Sequence, residues 1–246
     1  MKALPEPVFA LGLTTDVQEL ITADFDQEYC YTVGGSGKTG KTNLLKALAL
    51  EGKAKGSRLF LFDNAAGELT DFANELGFDG AANDAAGLFS LMESVIVPEF
   101  TARNQLVSEA RDQGKSVTKA LGGTKRILFL INDMSAFINA VYSPDFEMSD
   151  FFELALEKGR EHKISFAAAV TPDDWADLAR YQTMRQFAAF GRGIHLGGLF
   201  DQQSILQWKM SAADAVRQLP AGVGYALATS GDCVRLLTPL TEGGSK

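Results

Sequence analysis

The chain has 246 residues, 46% of them hydrophobic and 22% charged, which is the composition of a globular domain rather than of a disordered or fibrous chain. A formal net charge of −8 argues against a nucleic-acid-binding surface, because such a surface needs clustered lysine and arginine. The few cysteines and histidines are isolated in the sequence, so neither a disulfide framework nor a zinc site is expected. The longest apolar runs, "ILFLI" and "FAAAV", are far shorter than a membrane span, and neither a span nor a signal peptide is predicted.

Short apolar segments alternate with helical ones along the chain, a pattern that predicts a mostly parallel sheet with crossover helices. Strands are predicted at residues 8–13, 28–33, 58–63, 126–132, 164–170 and 193–198, and the segments "GYALAT" and "VRLLTPL" are predicted to form a closing β-hairpin. Helices are predicted from Lys41 onward and over residues 68–76, 84–97, 98–113, 134–142, 148–162 and 171–181. Pro98 is expected to open a new helix, and Thr171 is expected to be an N-cap. No linker or repeat divides residues 1–246, which predicts a single α/β domain.

The clearest motif is a phosphate-binding loop between the second predicted strand and the first predicted helix. Its sequence fits G-x-x-x-x-G-K-[ST] without adjustment. Glycines let successive backbone N–H groups turn toward phosphate oxygens, and the following helix directs its positive end at the anion. We expect Lys41 to reach the β- and γ-phosphates of ATP and the Thr42 hydroxyl to bind Mg²⁺. The predicted nucleotide-binding residues are Gly35, Ser36, Gly37, Lys38, Thr39, Gly40, Lys41, Thr42 and Asn43.

A hydrolysing site of this kind needs two carboxylates at the end of a second strand, one for the magnesium ion and one that polarises the attacking water. The candidate strand, residues 126–132, is followed by Asp133 and Met134. If Asn132 takes the magnesium position, Asp133 stands in for the second carboxylate with a shorter side chain. If Asp133 takes it, Met134 follows and polarises nothing. In either register one carboxylate is missing, unless a base comes from another segment, such as Asp63, or from a neighbouring subunit.

With both motifs placed, the chain resembles the FtsK/SpoIIIE family of RecA-like motor ATPases over nearly its whole length. The resemblance is carried by the segments "PVFALGL", "ILFLIND", "FGRGIHLGGLFDQQSILQW" and "LPAGVGYAL". Within the family, "GGSGKTGKT" and "LFLINDMSAF" are most similar to the C-terminal ATPase domain of the type VII secretion coupling proteins (EssC/EccC type). The resemblance implies a RecA-like P-loop NTPase fold with a mostly parallel central sheet flanked by helices.

Three positions depart from the pattern of the family's motor members. Asn132 and Asp133 stand where those members usually carry Asp-Glu, and Lys38 stands where they tend to carry glycine. A glutamine that commonly follows the later strand is replaced by Val170 or Thr171. The phosphate-binding motif is intact and the second motif is degenerate, which predicts ATP binding with slow or no hydrolysis by the isolated domain.

The resemblance also implies the setting in which the domain works. It would be a cytoplasmic piece of a larger multidomain protein whose plasma-membrane anchor lies outside this sequence. Its expected partners are neighbouring ATPase domains of the same chain, small helical-hairpin secretion substrates of the WXG type and, in the full-length protein, further copies in a homo-oligomer. Trp175 and Trp208, on predicted helical segments, are either partly buried core residues or a lip for an apolar partner peptide.

Two other functions stay open at this point. One is a competent FtsK-like translocase ATPase, acting on DNA or protein, that is active only in an oligomer. The other is a pure protein-interaction domain with an empty nucleotide pocket. The missing carboxylate and the acidic charge balance weigh against the first, and the intact phosphate-binding loop weighs against the second.

Overall fold

The computed structural model describes residues 4–228 and 230–241, and it confirms an α/β fold built on one sheet. The strands are β1 (Val8–Thr14), β2 (Leu20–Asp24), β3 (Cys30–Gly35), β4 (Arg58–Phe62), β5 (Gly80–Ala82), β6 (Ile127–Ile131), β7 (Ile164–Val170), β8 (Gly193–Gly198), β9 (Leu219–Leu227) and β10 (Cys233–Leu237). Their order in the sheet is β2-β1-β10-β9-β8-β3-β7-β6-β4-β5. The six strands β8, β3, β7, β6, β4 and β5 are parallel to one another. The other four, β2, β1, β10 and β9, pair antiparallel, and β9 and β10 form the predicted closing hairpin.

Helices cover both faces of the parallel part of the sheet. They are α1 (Lys41–Ala54), α2 (Thr70–Leu76), α3 (Ala85–Leu91), α4 (Val97–Asp112), α5 (Val117–Ala120), α6 (Met134–Val141), α7 (Ser149–Lys158), α8 (Asp174–Leu178), α9 (Gln182–Phe190) and α10 (Ala212–Ala215). A π-helical turn, Met92–Ile96, joins α3 to α4, and a 3₁₀ turn, Phe200–Gln202, follows β8.

The alternation of side chains along the buried strands produces two separate cores. In β4, Phe60 and Phe62 belong to a large aromatic core under α3, α4, α6, α7 and α9. Leu59 and Leu61 point the other way, into an aliphatic core under α1 and α2. Because both faces are covered, the central strands are apolar at nearly every position, which is why their sequences predicted them well.

Several predicted elements differ from the observed ones. Strands β2 and β5, helix α9 and the short helices α5 and α10 were not predicted. The two helices expected on either side of Pro98 are one continuous helix. The π turn shifts the hydrogen-bond register just before Pro98, so the helix continues although the proline has no N–H to donate. Thr171 is not an N-cap: α8 begins only at Asp174, whose carboxylate accepts a hydrogen bond from the Thr171 backbone N–H at 3.1 Å.

The continuous helix Ala85–Asp112 is long and apolar enough, by length and composition alone, to cross a membrane. Core helices of globular proteins pass the same test. Leu88, Ile96 and Phe100 on this helix are buried in the aromatic core against the sheet.

A buried arginine joins the N-terminal segment to the base of the central strands. The Arg126 side chain, 1% exposed, precedes β6 and forms ion pairs with Glu6 at 2.9 Å and with Asp26. Its guanidinium also donates to the Ser165 hydroxyl at 2.8 Å and to the Phe25 carbonyl at 3.2 Å. Through these bonds Arg126 holds the segments that precede β1 and β3 against the start of β6.

We predict that Arg126→Met lowers the free energy of unfolding by about 3 kcal/mol, because it removes charge-assisted hydrogen bonds and leaves buried acceptors unpaired. Arg111→Met is the matched control: its ion pair with Glu161 is exposed on both sides and is expected to contribute less than about 1 kcal/mol. Denaturant titration of both variants measures the difference. Equal losses in the two variants would contradict this assignment.

Candidate nucleotide-binding site

The predicted functional residues meet at the carboxyl edge of the parallel sheet. The phosphate-binding loop leaves β3, and β7 lies between β3 and β6. The segments after β4, β6 and β7 therefore open onto the same edge as the loop. In open α/β sheets this edge is where ligands bind.

The loop conformation requires glycine at Gly35, whose φ is 146° and whose added Cβ would lie 2.2 Å from the Leu196 carbonyl oxygen. Gly40, with φ of 108°, ends the loop immediately before α1. Lys38 also adopts a left-handed φ of 61° and is exposed. Its position is one that favours glycine, which gives a physical reason for the glycine expected there from the family pattern.

Lys41 is held over the loop by the loop's own backbone. Its Nζ donates to the carbonyls of Gly35 at 2.6 Å and Ser36 at 2.7 Å. Partial burial lowers the pKa of Lys41, and the nearby carboxylates of Asp174, Asp133 and Glu68 oppose this shift. The lysine is thus a cation placed beside the backbone that would surround a phosphate.

The N-terminus of α1 fits an anion. This 14-residue helix has no acidic residue in its first turn, and Gly40, its N-cap, provides no side-chain hydrogen bond. The first N–H groups of the helix are therefore left without a side-chain acceptor and carry the positive end of the helix dipole. Together with the loop and Lys41, they suit the phosphates of a nucleotide.

Asn132 and Asp133 take different places. The Thr42 hydroxyl donates to Asn132 Oδ1 at 3.1 Å, and Asn132 Nδ2 donates to Asp63 Oδ1 at 2.9 Å. Asp133 instead accepts the backbone N–H of Ala136 at 2.9 Å and caps α6. Of the two registers left open by the sequence, the geometry matches the one in which Asn132 lies at the magnesium position.

Asp63 does not match a base that reacts with water. It is 1% exposed, and it accepts hydrogen bonds from the backbone N–H groups of Asn64 and Leu69, from the Thr70 hydroxyl and from Asn132. The bonds at Oδ1 and Oδ2 use both oxygens. The structure therefore favours a supporting role for Asp63 over the role of base considered from the sequence.

Magnesium fits this site only together with phosphate oxygens. Thr42 and Asn132 supply two neutral oxygens, the hard ligands that Mg²⁺ prefers. Within residues 4–228 and 230–241, no group of three acidic, histidine or cysteine side chains lies close enough to hold a metal ion by itself. The carboxylates around Lys41 would act on the ion through space or through its water shell.

The C-terminal segment closes over the loop. The Gly222 N–H donates to the Thr39 carbonyl at 2.9 Å. Asn43, whose contact with nucleotide stays a prediction, makes hydrogen bonds to this segment: its Nδ2 donates to the Pro239 carbonyl at 2.7 Å, and its Oδ1 accepts the Thr241 N–H at 2.9 Å. The position of the loop therefore depends on residues almost 200 positions further along the chain.

His195, on β8 beside the loop, was not predicted as part of the site. Its side chain is 1% exposed, and neither ring nitrogen has a hydrogen-bond partner among the described residues. Burial, opposed by the nearby Gly197 backbone and assisted by the charge of Lys41, lowers the pKa of His195 to about 4. The imidazole is therefore neutral at pH 7. The sequence around it, "GRGIHLGG", gives no indication that the histidine is buried.

No protein-family model matches the chain, and no curated protein sequence is similar to it. Several solved structures share its fold. The cytoplasmic domain of EssC aligns over 96% of this chain and 44% of its own, with a TM-score of 0.76 and 12% identity. Thermomonospora curvata EccC (ATPases 2 and 3), in complex with a signal sequence peptide, aligns over 98% of this chain and 44% of its own, with a TM-score of 0.73 and 18% identity.

A third relative comes from conjugation. The pCW3 conjugation coupling protein TcpA, in a monomer form with ATPγS, aligns over 96% of this chain and 66% of its own, with a TM-score of 0.71 and 18% identity. The chain thus spans less than half of the EssC and EccC structures named above. The resemblance indicated by the sequence motifs is confirmed in the fold, which is that of the ATPase domains of type VII secretion and coupling proteins.

We predict that His195 makes the domain acid-sensitive. Because its pKa is lower in the folded state than the usual 6.5, the unfolded state binds more protons between about pH 4 and 6.5, and stability falls as pH falls through this window. From pH 7 to pH 5 the loss attributable to this residue is about 2 kcal/mol. Denaturant titrations of the wild type and His195→Leu at both pH values measure it. An unchanged pH dependence in His195→Leu would contradict the prediction.

Proposed function

We propose that the chain is an ATP-binding domain with weak hydrolytic capacity that serves a type VII secretion ATPase. The phosphate-binding half of the site is complete in sequence and geometry. The observation that carries the proposal is the position of Asn132, a neutral amide against Thr42 at the end of β6. A motor ATPase needs a carboxylate at this place and a second one beside it.

Each residue then has a role in binding. Lys41 and the first N–H groups of α1 neutralise the phosphates, while Gly35 and Gly40 allow the loop to surround them. Oxygens of Thr42 and Asn132 would hold the magnesium ion. Magnesium, when bound, neutralises charge on the β- and γ-phosphates.

Hydrolysis would be slow because, among the described residues, the three aspartates that lie near the end of β6 or near Lys41 are each engaged in other hydrogen bonds. Asp133 is one methylene shorter than glutamate, and its side chain caps α6, with Oδ1 accepting the Ala136 N–H. Asp63 has both oxygens in hydrogen bonds and is buried. Asp174 lies near Lys41, but its Oδ2 accepts the Thr171 N–H. A base from a neighbouring subunit is the condition under which the alternative, an oligomeric translocase ATPase, would hold.

For nucleotide binding we predict that MgATP raises the melting temperature of the wild type and not that of Lys41→Ala, because the variant lacks the phosphate-binding cation. For hydrolysis we predict steady-state phosphate release below about 1 s⁻¹, the low end of usual enzyme rates. Lys46→Ala, one turn further along α1, is the control for loss of a lysine from the same helix.

The translocase alternative gives a different result in the same assay. Phosphate release that rises steeply with protein concentration or on addition of DNA, and that disappears in Lys41→Ala, would overturn slow hydrolysis in favour of an oligomeric motor. Absence of any nucleotide effect on melting would favour a pure interaction domain.

We further propose that the domain belongs to the cytoplasmic part of a membrane-anchored protein, beside other ATPase domains, and recognises small helical-hairpin secretion substrates. Support comes from the EccC structure with a signal sequence peptide. A suitable cleft is lined by Trp175, Ala188 and Ile205, next to the C-terminal end of α9. Trp208 lies next to it in the fold, with its Nε1 donating to the Gly191 carbonyl at 2.8 Å. Of the two tryptophans, Trp175 lines the cleft and Trp208 does not.

We predict that a peptide from the C-terminal tail of such a substrate binds this cleft and that Trp175→Ala weakens binding about tenfold or more, as expected for a central aromatic contact. Trp208→Phe is the control, because it keeps an aromatic ring beside Phe200 and because Trp208 is not among the residues that line the cleft. Fluorescence anisotropy of a labelled peptide measures both. Equal affinities of the wild type and Trp175→Ala would place the peptide elsewhere.

A further inference from the structure

We infer that Asp63 is a positioning residue of the nucleotide site and acts through Asn132. The inference rests on the function proposed above, since it concerns how the same site presents oxygen to a cation. Asp63 directly follows β4, and its Oδ1 accepts from Asn132 Nδ2 at 2.9 Å. Asn132 in turn accepts the Thr42 hydroxyl at 3.1 Å. These three side chains form one hydrogen-bonded chain across the ends of β4 and β6 and the start of α1.

The Asp63 carboxylate is fixed from its other side. Its Oδ1 accepts the Asn64 N–H at 2.9 Å, and its Oδ2 accepts the Leu69 N–H at 2.7 Å and the Thr70 hydroxyl at 3.2 Å. These donors belong to the loop that leads from β4 into α2 and to the first residue of α2. Rotation of the carboxylate would break two backbone hydrogen bonds in a buried environment, which is costly.

A fixed carboxylate determines which way the Asn132 amide points. An ionised carboxylate only accepts hydrogen bonds, so the amide must direct Nδ2 at Asp63 and Oδ1 at Thr42. The opposite orientation would put two acceptors together at Asp63 and turn an N–H donor toward Thr42. Magnesium is bound by oxygen, so only the observed orientation allows Asn132 to serve a magnesium ion.

The same contact supplies electronic support. A hydrogen bond from an amide N–H to a buried carboxylate polarises the amide and increases the negative charge on its oxygen. Position 132 carries no carboxylate itself. The Asp63 carboxylate, which is hydrogen-bonded to Asn132, partly compensates for that absence. This is the arrangement by which an outer group orients and strengthens a metal ligand.

The first test compares ATP affinity with magnesium and with a chelator, by calorimetry on the whole chain. Asp63→Asn is expected to weaken ATP binding about tenfold in magnesium, the usual effect of losing such an outer group, and to leave magnesium-free binding unchanged. Thr70→Val is the matched control, because it removes a hydrogen bond to the same carboxylate on the loop side only. It is expected to lower the melting temperature and leave both affinities unchanged.

A second test needs no ligand. Asn132→Asp places two carboxylates in contact and is expected to lower the melting temperature at pH 7.5. The exchanged pair, Asp63→Asn with Asn132→Asp, restores a donor opposite an acceptor between the two side chains and is expected to recover part of that loss. Recovery is incomplete, because the amide N–H introduced at position 63 also faces the Asn64 backbone N–H. Because recovery requires the reciprocal pair, a general weakening of the loop does not produce it. This test also stands if Asp63→Asn alone fails to fold.

The outcomes separate the inference from the proposed function. Wild-type binding that is tighter with magnesium, combined with no effect of Asp63→Asn or an equal loss with and without magnesium, overturns the inference alone. An exchanged pair no more stable than Asn132→Asp also overturns it. A wild type that binds no ATP under either condition overturns the proposed function itself.

Discussion

The site depends on one chain of hydrogen bonds, Thr42 to Asn132 to Asp63, which joins the first turn of α1 to the ends of β6 and β4. It exists because β4 and β6 are direct neighbours in register. The Asn132 N–H donates to the Phe62 carbonyl at 2.9 Å, so the two side chains emerge at the same level of the sheet. The Thr42 hydroxyl and the Asn132 amide are thus held against a buried carboxylate rather than left in solvent.

In the function proposed above, this arrangement separates binding from hydrolysis. Phosphate binding uses backbone N–H groups, a helix dipole and Lys41, none of which needs the carboxylates at the end of β6. Water activation does need them, and there Asn132 is neutral while Asp133 caps a helix. A domain of this type can hold a nucleotide as a structural or regulatory ligand while other domains perform the work.

The sequence predicted most of the parallel sheet because its strands are buried on both faces and therefore read as apolar runs bounded by turns. It missed β5, whose residues "GAA" have no strand preference and pair only because β4 offers a free edge. The phosphate-binding loop was predictable from spacing. The register of Asn132, the burial of His195 and the contacts of Asn43 with Thr241 were not, because each depends on segments far apart in sequence.

The central claim, a nucleotide-binding site that retains its ligand without rapid turnover, is tested most directly by titrating MgATP into the whole chain by calorimetry while phosphate is measured in the same sample. The account predicts micromolar, saturable binding with one site per chain and ATP that remains intact over the titration. Saturable binding accompanied by phosphate release at usual enzyme rates would contradict it, because a carboxylate that activates water would then have to be present.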